Sequence, residues 1–255
     1  MTTAARDYPR PYEIGSFNDL PIVATDIIYE GSAVGDNGSG YARPLVGGDP
    51  FRGFATQQCD NATGSAGDKN VHLRQNGKIE LSIASLALTD VGRPVYATDE
   101  LFFTLEGAGA SFSGHVSRFV STGVGVVDFD TARAEEVQLL TIPVTLAGVT
   151  AADVLTNFTP GFAGRIIDWK FAVTTAVTTA AKAATLNLEV GTTNVTGGTI
   201  ALTSANCTPL GAVVAKGSAF TAGTSFSATD TISVEAATVT AFVEGEGVLI
   251  IKLGK

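Results

Sequence analysis

Apolar and polar residues alternate with period two through most of the chain. In Lys78-Ile79-Glu80-Leu81-Ser82-Ile83 the three apolar residues share one face and Lys78, Glu80 and Ser82 the other, as a half-buried strand requires. Short strands are predicted at 71–75, 78–83, 94–97, 101–105, 114–120 and 124–129. Their spacing of roughly 8–12 residues is that of a small sandwich or barrel. Asn76-Gly77 separates two of them and predicts a type I′ hairpin turn. Earlier, 20–55 reads as further short strands, broken by turns at 31–35, 36–40 and 47–50.

A second strand-rich stretch follows residue 138. Strands are expected at 137–146, with Pro143 marking an edge or a bulge, and at 195–202, 212–215, 231–236 and 248–253. Ile167, Trp169, Phe171 and Val173 alternate with Asp168, Lys170 and Ala172, and Leu186, Leu188 and Val190 with Asn187 and Glu189. Two such layers packed face to face would bury Trp169, the sole tryptophan. One helical turn is expected at 150–155, capped by Thr150. The Thr- and Ala-rich run 174–184 reads as a long hairpin tip.

The expected architecture is all-β: an extended arm at 1–19, a small barrel or sandwich at 20–130, a charged linker at 131–138, and a jelly-roll-like sandwich at 139–255. Charge changes at the same boundary. Residues 1–135 carry 10 Lys/Arg against 17 Asp/Glu, and residues 136–255 carry 6 against 8. The arm holds Tyr8, Tyr12, Ile14 and Phe17, with Pro9 and Pro11 keeping it extended. So many large apolar groups on an extended backbone point to contact with a neighbouring surface, so these four are the candidate contact residues.

The net charge is −9, which argues against a nucleic-acid surface. No apolar run approaches the ~18 residues that span a bilayer, and no secretory leader is visible at residues 1–6. Cys59 and Cys207 read as unpaired thiols of a reducing compartment. The loop 36–40 lacks the spaced carboxylates of a calcium site and places Gly47 where the closing Glu would fall. His72 and His115 have no second ligand at metal spacing. Asp90 is expected to bond the backbone of the turn after it, and with Arg93 reads as structural rather than as an acid–base pair. No catalytic, cofactor or metal residue is expected.

The segments 28–35, 40–45 and 51–55, then Asp68-Lys69, Asn76-Gly77-Lys78, 89–99, Gly114-His115-Val116 and Arg118-Phe119-Val120, form an ordered series over residues 20–130. That series resembles the head-decoration, or capsid cement, proteins of tailed bacteriophages. The resemblance implies a compact β-rich subunit on the outside of an assembled virion. Its partner would be the major capsid protein, and it would often be a homotrimer. The long C-terminal extension departs from the simplest members. It leaves open a second reading, in which the sandwich around Trp169 binds a glycan or another host surface ligand.

Overall fold

A computed structural model describes residues 15–255. The chain is nearly all-β, with 54% strand and 4% helix, arranged as several antiparallel sheets.

Two five-stranded sheets fill the first half. One runs in the order Phe17–Pro21, Asn70–Arg74, Phe51–Ala55, Ala33–Asp36, Ala42–Pro44. The other runs Phe103–Thr104, Pro94–Ala97, Ser111–Ser121, Val124–Asp130, Asn76–Ser82. Ile79, Leu81 and Ile83 face the interior as their alternation requires. An aromatic cluster bridges the sheets: Phe54 of the first meets Phe129 of the second edge-to-face at 4.9 Å, a favoured geometry for aromatic pairs.

Asn76-Gly77 does not form the expected hairpin. Asn70–Arg74 and Asn76–Ser82 lie in different sheets, and the chain crosses between them at Gln75. Gly77, at φ +139°, is itself a ladder residue opposite Phe129. The Asn-Gly pair supplies backbone freedom for a change of sheet, not for a reversal.

The second half is a sandwich. One layer runs Val137–Thr145, Glu246–Gly254, Gly164–Thr175, Val213–Ala215, with Ser225–Phe226 also pairing to Gly164–Thr175. The facing layer runs Asp153–Phe158, Ile232–Thr240, Ala183–Val190, Thr193–Thr203. Trp169, Phe171, Leu186, Leu188, Leu249 and Ile251 fill the space between them, all fully buried. Pro143 does sit on an edge strand. The strand begins at Val137, where the expected strand 137–146 begins, so Val137 and Gln138 belong to it and not to the linker drawn over 131–138.

Three local expectations fail. Residues 153–158 are a strand rather than the end of a helical turn, since pairing to Ile232–Thr240 outweighs a lone Thr cap. Ile166, not Ile167, joins the core, because a bulge at Ile166/Asp168 shifts the alternation by one. The run 174–184 connects the two layers instead of tipping a hairpin, since Gly164–Thr175 and Ala183–Val190 belong to opposite sheets.

That crossover is held by Glu244. Its carboxylate accepts the N–H groups of Thr178 (2.7 Å) and Thr179 (2.6 Å) and both threonine hydroxyls. These bonds, led by the Thr179 amide, hold Glu244 down to a pKa of about 2. A depressed carboxylate contributes stability above its unfolded range and loses it as pH falls through the folded value. The Thr178 and Thr179 amides should therefore stay protected from exchange at pH 4–5 and open as pH falls towards about 2. In Glu244→Gln they should exchange fast across that range, as residue-resolved hydrogen exchange would show.

Candidate functional site

Of the four candidate contact residues, Tyr8, Tyr12 and Ile14 lie outside the described residues. Phe17 is not part of a free arm. It opens the edge strand Phe17–Pro21 of the first sheet, so the arm expected at 1–19 gives way to sheet by residue 17. The Phe17 ring stacks on His72 with centroids 5.3 Å apart, and His72 Nδ1 lies 2.7 Å from Asp19 Oδ1. Phe17 remains 42% exposed.

A stronger surface lies elsewhere in the first half. Asp99 Oδ1 accepts the N–H groups of Leu101 (2.8 Å) and Phe102 (2.7 Å), and the Phe102 carbonyl accepts from Thr98 N–H at 3.0 Å. The Glu100 carbonyl is held by Ala33 N–H at 2.9 Å. The backbone of this tip is fixed while Leu101 and Phe102 project at 68% and 57% exposure. Val46 bridges to Asp99 and is exposed, and Tyr29, 60% exposed, lines a shallow cleft with Glu100 and Pro44. Exposed Val46 and Tyr29 thus adjoin Asp99 and Glu100 of the same turn that carries exposed Leu101 and Phe102, and a concentration of exposed apolar groups is a feature of recognition surfaces. From the sequence, Leu101 and Phe102 read as the start of a strand over 101–105. The available signal was Asp99, whose side chain can cap the two following amides and turn the chain outward.

The two halves meet at a polar seam. Arg165 makes a bidentate pair with Glu135, Nη2 to Oε2 at 2.7 Å and Nε to Oε1 at 2.9 Å. Its Nη1 donates to the carbonyls of Gly107 and Ala110. The guanidinium lies 4.6 Å over the Tyr96 ring, and Tyr96 Oη donates to Glu135 Oε1 at 3.1 Å. Burial, reinforced by the Glu135 charge, drives the Tyr96 phenol far above its ordinary pKa, so it stays protonated as a donor. Glu106 reaches across as well, accepting from the Thr224 hydroxyl at 2.6 Å. A Cβ at Gly107 would fall 2.3 Å from Arg165 Cδ, which explains the glycine there.

Beside the seam opens a cleft of about 670 Å³, lined by Arg93, His115, Phe162, Ser227, Thr229 and Lys255 among others. Burial lowers the His115 pKa, favouring the neutral ring at pH 7. Asp90 pairs with Arg93 at 2.9 Å and accepts Ala87 N–H at 2.7 Å; it braces the turn before it rather than the one after. The lining offers hydrogen-bonding groups and the face of the Phe162 ring. Among the described residues no cluster of His, Cys, Asp and Glu forms a metal cage, and no helix is long and apolar enough to cross a membrane. Cys59 and Cys207 are both buried and free. Trp169 is enclosed in the core and presents nothing to a ligand.

Comparison with known proteins found no matching protein family, no matching curated protein and no matching solved structure.

Proposed function

We propose that this chain is a structural protein that binds the outer surface of an assembled phage capsid and stabilises it. The observation that carries the reading is the rigid apolar turn Asp99–Phe102 with Tyr29 and Val46 beside it. It lies within residues 20–130, the stretch that resembles capsid cement proteins. Ala33–Asp36, Ala42–Pro44 and Phe51–Ala55, which that series includes or overlaps, are neighbouring strands of one sheet. The partner is the major capsid protein, the place is the virion exterior, and copies associate as a trimer. The residues before the first strand, with Tyr8, Tyr12 and Ile14, add contact to a neighbouring surface. On a lattice, many modest contacts combine through avidity.

The test is co-sedimentation with undecorated mature heads. Leu101→Ser/Phe102→Ser removes two exposed anchors and should weaken binding at least about tenfold, the scale of losing a hot spot. The circular dichroism spectrum should not change, because both side chains already face solvent. Undiminished binding by this double variant would overturn the assignment of the surface.

A second reading, a glycan- or receptor-binding role for the second half, draws on the seam cleft with Phe162, His115 and the Ser227 and Thr229 hydroxyls. Binding to glycan arrays without any binding to heads would favour it.

A further inference from the structure

The cleft beside the seam draws one rim from each half of the chain. On the first rim, Arg93 N–H donates to Asp90 O at 3.0 Å and Gly92 N–H to Val116 O at 2.8 Å. On the second, Ser227 N–H donates to Asp230 Oδ2 at 2.6 Å, and Asp230 N–H returns to Ser227 O at 3.2 Å. Both rims are therefore fixed before a ligand arrives, which spares the cost of ordering them. At about 670 Å³ the cleft has the size of a small-molecule site.

The charge of the lining runs against that of the chain. Its ionised side chains at pH 7 are Arg93, Lys255 and Asp90, a cationic excess in a chain of net charge −9. Both oxygens of Asp90 are already engaged, one by Ala87 N–H at 2.7 Å and the other by Arg93 Nη1 at 2.9 Å. Arg93 commits its Nη1 to that bond, out of five donors on a guanidinium. Lys255 Nζ stands 5.7 Å from the centre of the Phe162 ring, on an exposed side chain that can follow a ligand.

The apolar part of the lining is equally well placed. Phe226, fully buried, braces the Phe162 ring edge-to-face at 5.7 Å. Ser227 Oγ and Thr229 Oγ1 lie 3.2 Å apart and bring two hydroxyls to the same rim.

We propose that this cleft binds an acidic sugar, a pyranose that carries a carboxylate. The carboxylate meets Lys255 and Arg93 in charge-assisted hydrogen bonds, about twice as strong as neutral ones. The C–H face of the ring lies on the electron-rich face of Phe162, and the sugar hydroxyls exchange bonds with Ser227 and Thr229. A neutral sugar would leave the cationic excess unanswered. A small inorganic anion would leave Phe162 and both hydroxyls unused. The inference rests on the glycan-binding reading of the cleft and narrows its ligand; it does not rest on the capsid reading.

The experiment titrates the full chain with methyl β-D-glucuronide, methyl β-D-glucoside and acetate, following the Phe162 ring and Lys255 amide signals by NMR. The two sugars differ only in a carboxylate in place of a hydroxymethyl group. The glucuronide should give saturable shifts and bind at least about tenfold more tightly than the glucoside or acetate. Lys255→Gln should bring the glucuronide down to the affinity of the glucoside. Equal affinity for the two sugars overturns the acidic-sugar assignment and keeps a glycan site at the cleft. Acetate binding as tightly as the glucuronide reduces the cleft to a site for any anion and also overturns it. Absence of a saturable shift with the glucuronide overturns the inference, whatever neutral glycans bind on an array.

Discussion

Arg165→Ala is expected to cost about 3–5 kcal/mol of stability, the scale of removing one partner from a buried ion pair. Arg165 and Glu135 are 16% and 10% exposed in their side chains, so solvent screening discounts the loss little. The substitution leaves the Glu135 carboxylate buried with only the Tyr96 hydroxyl. It also strips the Gly107 and Ala110 carbonyls of a shared donor. Arg165→Lys should recover part of the loss, since an ammonium restores charge but not the bidentate fork. Urea unfolding followed by circular dichroism measures the cost. Because the pair joins residues of both halves, the variant should also broaden or split the transition. An unchanged midpoint would show that the seam contributes nothing.

The second large effect separates two substitutions at one site. Trp169→Ala should cost about 3–5 kcal/mol, as for other large aromatics cut to alanine in a packed core. Trp169→Phe should cost clearly less than Trp169→Ala, although it too removes volume. The indole Nε1 is buried without a hydrogen-bond partner among the described residues, and an unsatisfied buried donor costs about 1–3 kcal/mol. Phenylalanine loses some packing and also discards that penalty. Chemical denaturation of the two variants gives the comparison. A Phe variant as damaged as the Ala variant would mean that the indole nitrogen has a partner.

Much of the strand pattern was legible because burial imposes period two on the sequence. Ile79, Leu81 and Ile83, or Leu186 and Leu188, could face inward only one way. Pro143 announced its edge because a proline in a central strand would break the ladder on one side. What escaped depended on partners distant in sequence. Asn76-Gly77 has the chemistry of a hairpin, and nothing local says that Asn70–Arg74 and Asn76–Ser82 choose different sheets. The bulge that puts Ile166 inside instead of Ile167 arises from pairing with Leu253 and Lys252, far down the chain. Glu135 read as one more charge in a linker, since its value comes from Arg165 and Tyr96, neither near it in sequence. Leu101 and Phe102 were the reverse case: apolar residues whose natural reading is burial, turned outward by Asp99.

The pairing of Val137–Thr145 with Glu246–Gly254 also sets a timetable. A ribosome adds about 5–20 residues per second, and more than a hundred residues separate the two strands. The earlier strand therefore waits roughly 5–20 s for its partner once made. During that interval an uncharged segment, Val-Gln-Leu-Leu-Thr-Ile, stands with both edges unsatisfied, the condition under which nascent chains find each other. Yield of soluble protein should accordingly fall with crowding of ribosomes on the message and rise when chaperones are abundant. A lysine at position 139, outside the core, should relieve the loss without touching the sandwich interior.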